Sequence, residues 1–389
     1  MNSLLDRFDT WINDGSNVAA LTLRQWLEPV EGEDAVVFPP TYPLDSNKPG
    51  YNIDPTGSNG ENVCQIDSVG SQANRMEPLF LRPPYSDLIP KVIIKTTTDG
   101  KERIVDILEA GHRAADAIVR FSSLGPQLHE AFESIKNSGD ATPLALIAPT
   151  SLVFGVWDSR STQIKLPRVV RSVIRAFNVR ELHRSAQYTT IAGEVLEGPD
   201  VEITTKGVKA ELGLAHVPAV MTHGGVQAMG GLRQEAALNL VAIRSLAAAV
   251  DQPDKTIALR RYILGLSLVA LTAPQDLSLR EGCQLVPSLK RPAEWKLVRH
   301  DGNREGFTLS HEDALEYAVE AARAFGPGSA LTGEFNSTLA NQVQSLSEKD
   351  RKALLRQGPV TATAIEKLRV KANTKRNNKP EAGGEGGSV

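Results

Sequence analysis

The stretch "SVGSQANRMEP", residues 68–78, gathers small and polar residues between the hydrophobic runs "VCQI" and "LFL". Ser71 is a residue type that caps helices, and small residues stand just before it, which predicts a helix over about residues 72–81. The N–H groups at a helix N-terminus attract anions. The stretch therefore predicts either a well-capped helix alone or a helix end that grips a phosphate or a sugar.

Side chains in two segments are candidates for ligand contact. Those in the first stretch are Ser71, Gln72, Asn74 and Arg75. The second segment, residues 160–184, holds seven Lys and Arg residues against one acid, Glu181, a net charge of +6. Its candidates are Arg160, Lys165, Arg168 and Arg171, because fork-like guanidinium groups suit phosphate oxygens. The alternative is a solvated basic face that acids elsewhere in the chain balance.

The composition is that of an ordinary globular protein, with 389 residues, 41% hydrophobic and 23% charged, and a net charge of −3. Nucleic-acid binding would therefore need a local basic patch. Cys64 and Cys283 have no metal-type spacing and fit a reducing compartment. The N-terminus is unlike a secretory signal, and the most apolar run, residues 262–274, is too short to cross a bilayer. We expect a cytoplasmic protein with no cofactor, no metal and no membrane span.

Hydrophobic periodicity and turn signals divide the first half of the chain into short elements. They predict a helix at 3–14, a strand within 17–30, a long loop rich in Pro, Gly, Asn and Asp at 31–63, a hairpin with Asp99 and Gly100 at its turn, helices at 110–121 and 125–137, and a buried strand at 151–159. Loops as long as the one at 31–63 are usually functional or mobile.

In the second half, the apolar spacing at 165–182 is helical although its end is β-prone, and 189–231 is a glycine-rich excursion from the core. The patterns also predict buried helices at 232–250 and 255–271, strands at 277–286 and 295–302, an amphipathic helix at 310–325 capped by Ser310, and a low-complexity, disordered tail at 371–389. Mixed helices, strands and hairpins indicate an α+β fold rather than a strict βαβ series.

Five phrases occur in the order typical of one protein family: "FPPTYP", "DSVGSQANRMEP", "PTSLVFGVWDSR", "KLPRVVRS" and "LGLAHVPA". With these phrases the chain strongly resembles the RNA-wrapping backbone subunit of type I-G (formerly I-U) CRISPR effector complexes. This is the GSU branch of the RAMP superfamily. The resemblance covers about residues 17–335 and does not include the C-terminal tail.

The resemblance implies an architecture like a right hand. Residues 1–340 would form an RRM-like, ferredoxin-like palm, with a finger-like loop at 31–63 and a thumb-like segment at 189–231 inserted into it. A C-terminal extension at 341–370 and a disordered tail at 371–389 would follow. Copies of such subunits stack head to tail along the CRISPR RNA, and each thumb flips out one base. The other guide bases stay free to pair with target DNA, so base pairing supplies the sequence specificity.

The resemblance also implies roles for the candidate residues. The helix near Ser71 and Gln72 would lie where guide RNA crosses the palm, with Asn74 and Arg75 on a phosphate or ribose. The basic residues Arg160, Lys165, Arg168 and Arg171 would bind the same strand, and Lys206 and Lys209 would belong to the thumb. The implied partners are guide RNA, target DNA through guide pairing, further copies of the chain, other Cascade subunits and a recruited helicase-nuclease.

Two other functions stay open at this stage. Some RAMP relatives are metal-independent endoribonucleases that process CRISPR RNA with His or Tyr as general acid or base. The seven histidines of this chain form no catalytic pattern. Asp67 precedes the stretch at 68–78, but its placement does not by itself match a target-cleaving loop aspartate, and we expect Asp158 to cap the following turn. A protein scaffold without RNA is the third reading. The sequence favours a non-catalytic guide-RNA-binding subunit, with no catalytic residue.

Overall fold

The computed structural model describes residues 4–44, 49–57, 59–98, 100–188 and 206–377. The fold is α+β, as predicted. The described α-helices are α1 Asp9–Ile12, α2 Val69–Met76, α3 Ala117–Arg120, α4 Gly125–Ser138, α5 Thr142–Ile147, α6 Thr150–Phe154, α7 Val208–Glu211, α8 Leu240–Arg244, α9 Pro253–Thr272, α10 His311–Phe325, α11 Ser337–Gln344, α12 Glu348–Gln357 and α13 Ala362–Asn377. Short 3-10 helices occupy Leu4–Phe8, Glu77–Leu81, Ser86–Leu88, Ile107–Glu109 and Arg113–Ala115.

The strands form one large sheet and several small ones. Their bounds are β1 Val18–Pro29, β2 Val36–Val37, β3 Thr41–Pro43, β4 Pro49–Tyr51, β5 Ile53–Pro55, β6 Asn62–Asp67, β7 Val92–Thr98, β8 Lys101–Asp106, β9 Val156–Trp157, β10 Lys165–Leu166, β11 Val170–Phe177, β12 Val179–Tyr188, β13 Val217–Ala228, β14 Leu232–Asn239, β15 Ser278–Arg280, β16 Cys283–Pro287, β17 Glu294–Arg299, β18 Arg304–Gly306 and β19 Leu331–Glu334.

The central sheet is antiparallel and runs in the order β15-β16-β1-β14-β11-β6-β5, with β17 and β18 added beside β1. Alternate residues of a strand face opposite sides. On one side, Leu21, Leu23 and Leu238 are buried in the core that α9 and α10 complete. On the other side, Thr22 is half-buried and Arg24 is exposed. One face of the sheet therefore packs on helices and the opposite face is solvated, which is typical of antiparallel sheets.

Helices α9 and α10 form the centre of the buried layer and confirm the predicted helices at 255–271 and 310–325. Gly265 of α9 lies so close to α10 that a Cβ there would be 2.8 Å from the Cα of Ala318. Tyr262 stacks on Phe325 with ring centroids 4.7 Å apart and donates a hydrogen bond to a backbone carbonyl. Ser310 caps α10 as predicted, accepting from the Asp313 N–H.

A two-stranded arm leaves the central sheet between β11 and β14. The β11–β14 pair continues outward as the β12–β13 pair, and Asn178, at a φ of 49°, marks the junction. The tip of the predicted excursion, residues 189–205, lies outside the described residues. Residues of β12 beyond its start are mostly exposed, so the described part of the arm projects from the core.

The segment predicted as a plain loop at 31–63 carries strands β2 to β5 and the start of β6. Strand β2 pairs with β13 through Val37 and Val226, and the Tyr51 hydroxyl accepts a hydrogen bond from the Gly225 N–H. The sequence did not predict strands β2 to β5, because the segment is rich in proline and glycine. Each of these strands is also only two or three residues long, which is too short to give a periodic pattern. The segment braces the base of the arm.

Three other predictions of secondary structure were wrong. Residues 150–154 form helix α6 rather than a buried strand, and only Val156–Trp157 are extended. The helical spacing at 165–182 belongs to strands β10, β11 and β12, and the first part of the helix predicted at 232–250 is strand β14. For β11 and β14 the pairing decides the conformation, since β14 pairs with β1 and β11 pairs with β6, and tertiary contacts override local propensity.

The C-terminal helices α11 to α13 have a small core of their own, built from Leu339, Val343, Leu354, Val360 and Ile365, with Phe121 packed against it. Helix α13 reaches Asn377, inside the segment predicted to be a disordered tail, and residues 378–389 lie outside the described residues. Among the described helices, none has the length and apolar character needed to cross a membrane.

Candidate nucleic-acid interface

Helix α2 begins directly after β6, and its cap is Ser68 rather than the predicted Ser71. Ser68 has an extended backbone, and its hydroxyl accepts a hydrogen bond from the Ser71 N–H at 3.1 Å. The two serines are three residues apart, which is the spacing of an N-cap and the donor that it satisfies. The helix therefore starts three residues earlier than expected, and Ser71 is half-buried in its first turn.

Gln72 lies in a buried hydrogen-bond network under the central sheet. Its amide nitrogen donates to Asp67 at 2.7 Å, and its amide oxygen accepts from Ser172 at 2.8 Å and from Gln234 at 3.1 Å. The Gln72 residue is fully buried. Its described partners all belong to the protein interior, so Gln72 ties α2 to strands β11 and β14.

Arg75 links α2 to the edge of the sheet. Its Nε donates to the buried Asp67 carboxylate at 3.1 Å, and its Nη2 donates to the Leu279 carbonyl at 2.7 Å. Arg280 approaches the other Asp67 oxygen at 3.5 Å. About a third of the Arg75 side chain is exposed (34%), so one edge of the guanidinium faces solvent while the rest holds β15 in place.

Asn74 is exposed and is held by an arginine that the sequence did not single out. Arg113 donates to the Asn74 side-chain oxygen at 3.4 Å and to the Glu77 carboxylate at 2.5 Å. Glu77 and Arg113 are both buried. Burial raises the pKa of Glu77 to about 6, and the Arg113 charge opposes that rise. The Glu77–Arg113 pair thus sets the position of Asn74 from beneath.

Arg168 lies beside the same cluster. Its pKa is lowered, first by burial and second by the charge of Arg113. Gly155 makes room for it: at its φ of +77°, a Cβ would lie 2.9 Å from the Arg168 Cγ. Within the described chain, no acidic side chain forms a salt bridge with Arg168. A partly desolvated guanidinium without a counterion is suited to an incoming anion.

The short hairpin β9–β10 continues this surface. Trp157 is 59% exposed, and the Lys165 Nζ lies 5.6 Å from its ring centroid. Arg160 is exposed in the connecting loop. The buried Asp158 carboxylate fixes that loop, since it accepts from the Thr162 N–H and from Arg120. The interpretation of Asp158 as a turn cap is confirmed, whereas Trp157 was missed because it stood inside a presumed buried strand.

We call the following residues the helix-side patch: Asn74, Arg113, Trp157, Arg160, Lys165 and Arg168. Arg113 contacts both Asn74 on α2 and the Gly155 carbonyl, Gly155 packs on Arg168, and the β9–β10 hairpin that carries Trp157, Arg160 and Lys165 follows directly after Gly155. Arg171 is not among them. Its neighbour Ser172 points toward Gln72 of α2, so Arg171 points to the opposite face of the sheet, because successive residues of a strand alternate.

Lys206 and Lys209 lie in the segment between strands β12 and β13, directly after residues 189–205, which the structure does not describe. Lys209 belongs to the short helix α7 and is exposed, as is Lys206. The structure therefore does not bring all the candidate residues into one groove, because Arg171 lies on the face of the sheet opposite Gln72.

Groups capable of metal or thiol chemistry are scarce. The described residues contain no cluster of three or more His, Cys, Asp or Glu side chains that could hold a metal ion. Burial raises the pKa of Cys64 to about 12 and that of Cys283 to about 11, so both thiols stay protonated and unreactive. On the arm, His183 lies opposite His223, whose Nε2 contacts the Pro49 carbonyl at 2.9 Å.

A match to a protein family bears on the class that the sequence motifs indicate. Residues 21–181 match the model of the family described as CRISPR-associated protein GSU0053. This match supports the resemblance to the GSU family that the sequence motifs indicated. The match includes four of the five motifs and ends before "LGLAHVPA". No curated protein matches the chain.

Proposed function

We propose that this protein is a non-catalytic, CRISPR RNA-binding subunit that polymerises along guide RNA and forms the backbone of a type I-G Cascade effector complex. In this proposal the central sheet and its helices are the RRM-like palm. The braced segment at 31–63 is the finger, and the β12–β13 arm is the thumb. The match to a CRISPR-associated family supports the biological setting.

The observation that carries the proposal is the excess of positive charge in the helix-side patch. Within the part of the chain that the structure describes, no salt bridge neutralises Arg160, Lys165 or Arg168. A bound phosphodiester backbone would supply the missing negative charge, and release of its counterions would favour binding. The exposed indole ring of Trp157 adds a surface on which a base or ribose stacks.

The contacts of each candidate refine its role. Asn74, Arg160, Lys165 and Arg168 touch the strand, and Ser71 contributes from the first turn of α2. Gln72 and Arg75 hold the frame through Asp67, with only the exposed edge of Arg75 free to reach a ribose or phosphate. Arg113 is a positioning residue, because its guanidinium donates a hydrogen bond to Asn74, and its charge helps to lower the pKa of Arg168.

The further partners follow from this role. Copies of the chain contact one another head to tail, an arrangement that propagates into a filament rather than closing into a dimer. The free guide bases pair with target DNA, and other Cascade subunits and a helicase-nuclease join the assembly. The subunit performs no chemistry itself.

The test is co-expression of the full chain with a repeat-spacer RNA, followed by sizing of the purified particle before and after nuclease treatment. We expect RNA in the particle and a loss of size on digestion. A particle that never contains RNA and keeps its size is the scaffold outcome and rejects the proposal.

A matched pair of variants locates the strand. Arg160→Ala with Arg168→Ala should weaken RNA loading in a filter assay, while Arg323→Ala, an exposed arginine of α10, should leave loading unchanged. Incubation of the protein with repeat RNA, with and without Mg²⁺, tests the ribonuclease alternative, for which the facing His183 and His223 are the residues to change. Site-specific cleavage that His183→Ala abolishes would contradict a non-catalytic role.

A further inference from the structure

The solvated face of the central sheet carries a second set of cations, on the side opposite the helix-side patch. These residues line one groove: Arg24, Arg171, Arg175, Lys296 and Arg304, together with the acids Glu235 and Glu294. We call this set the open-face groove. Three of its cations lie outside the segment that the sequence marked as basic, and only the pairing of β1, β11, β14 and β17 brings them together.

Strand register gives the groove cationic margins and a floor of small residues. Arg171 pairs with Ala237, Ala237 pairs with Thr22, and Thr22 pairs with Lys296, so the four residues form one row across four strands. With neighbouring strands roughly 4.8 Å apart, the two cations at the ends of this row stand about 14 Å apart at their backbones. Arg24 is two residues beyond Thr22 on the same face.

The acids of the groove are already occupied. Glu235 binds Arg175 at 3.4 Å and Arg233 at 3.1 Å, and Glu294 contacts Lys296 at 3.5 Å. Arg24 and Arg171 are exposed and form no salt bridge among the described residues, although Arg24 lies opposite Glu235 and Glu294 on the neighbouring strands. The groove therefore has a net positive charge, and two guanidinium groups in it are available for an anion.

We infer that the open-face groove binds a second single-stranded polynucleotide through its phosphates, separate from the strand at the helix-side patch. Arg24 and Arg171 flank the small floor formed by Thr22 and Ala237, where a narrow phosphodiester strand fits between them. Guanidinium forks match phosphate oxygens, and cations repeated across several strands match a repeating anion. The sheet lies between the two surfaces, so each surface holds its own strand.

The test is a titration of the full chain with an unstructured oligonucleotide, oligouridylate or oligothymidylate, followed by calorimetry and fluorescence anisotropy. We expect two strands per chain. The double variant Arg24→Ala, Arg171→Ala should remove one strand and keep the other. If two phosphate contacts are lost, the plot of log affinity against log salt should become shallower. Its slope should be less negative by about 1.4, since each contact contributes about −0.7 for single strands. Arg323→Ala is the control and should change neither quantity.

Four outcomes decide between the surfaces. A stoichiometry of one that the Arg24, Arg171 variant retains overturns the open-face site, as does a stoichiometry of two that this variant leaves unchanged together with the salt slope. Tighter binding of a duplex than of a single strand at this groove also overturns it. Loss of one strand in the Arg24, Arg171 variant, with no effect of Arg160→Ala and Arg168→Ala, supports the open-face site while rejecting the helix-side patch as the guide-RNA surface.

Discussion

Both sides of the central sheet are rich in arginine, but the acids that form salt bridges with the cations there are buried on one side and partly exposed on the other. On the helix side, the buried acids Asp67 and Glu77 bind Arg75 and Arg113. On the open face, the acids Glu235 and Glu294 are partly exposed. The difference separates two uses of a guanidinium: an arginine held by a buried acid positions the backbone, whereas an arginine without such a partner is available to a ligand.

Burial also decides how strongly each side depends on its charges. Removing one partner of a buried ion pair leaves an uncompensated charge in a medium of low dielectric constant, while an exposed pair contributes little. The Glu77 carboxyl is nearly inaccessible, and burial has raised its pKa to about 6 from the ordinary value of 4.5 for a glutamate side chain. The helix side should therefore tolerate charge changes far less well than the open face.

The largest expected effect is from Arg113→Met. The variant leaves Glu77 buried without its cation and frees Asn74, so we expect the free energy of unfolding to fall by about 3 kcal/mol at neutral pH. Urea denaturation of the full chain measures this loss. Arg304→Ala on the open face is the control and should change stability by no more than about 0.5 kcal/mol.

The same variant has a defined pH dependence. A carboxyl whose pKa is raised on folding binds more protons in the native state, so stability falls as pH rises from about 4.5 to about 6. Without Arg113 the pKa of Glu77 rises further and this fall extends to higher pH. The difference in unfolding free energy between wild type and Arg113→Met should thus grow from pH 5 to pH 8, and a constant difference would contradict the role of the pair.

Two variants of helix α2, Gln72→Ala and Asn74→Ala, compare the loss of a buried side chain with the loss of an exposed one. Gln72→Ala leaves Asp67, Ser172 and Gln234 with lost hydrogen bonds, and we expect a loss of about 2 kcal/mol in the free energy of unfolding. Asn74→Ala should leave stability within about 0.5 kcal/mol and weaken RNA binding instead. A Gln72→Ala protein of normal stability that fails to bind RNA would show that Gln72 contacts the strand directly.

Much of the fold was predictable where one local signal agreed with its surroundings. Strand β1, the β7–β8 hairpin and helix α10 with its Ser310 cap follow from alternation, a turn signal and a capping serine. Strands β11 and β14 were mistaken for helices, because a strand buried under helices on one face and rich in Ala, Leu and Val has no reliable period. Pairing with neighbouring strands determines the conformation of β11 and β14, and this pairing depends on residues that are distant in the sequence.

The sequence predicted the two basic or polar stretches of the candidate site. It did not predict how their side chains are arranged in space. Sequence spacing marked Asn74 and Arg168, but the residue between them, Arg113, lies in neither stretch and could not be found from charge runs. Sequence also placed Arg171 beside Arg168. The strand conformation of β11 separates the two, because alternation turns Arg171 to the open face while Arg168 precedes the strand.

Trp157→Ala should have an intermediate effect, and on binding rather than stability. The ring is more than half exposed, so its loss should change the free energy of unfolding by no more than about 0.5 kcal/mol. Stacking on an aromatic ring contributes about 1 kcal/mol or more per base, so we expect RNA affinity to fall roughly fivefold or more. Competition with labelled guide RNA measures the change, and Trp157→Phe should restore most of it. Equal affinity of all three proteins would remove Trp157 from the helix-side patch.

The smallest expected effect is a gain on the open face from Glu294→Gln. The variant releases Lys296 and removes one negative charge from the groove, and both changes favour an anion. The pair is exposed and screened by salt, so stability should stay within about 0.5 kcal/mol of wild type and oligonucleotide affinity should rise about two- to threefold at low salt. Anisotropy titrations at two salt concentrations check this, and the gain should shrink at the higher one. The gain should also disappear when Arg24→Ala and Arg171→Ala are present, because those guanidinium groups hold the strand that Glu294 repels; a gain that persists in that background would place the responding strand on the helix side.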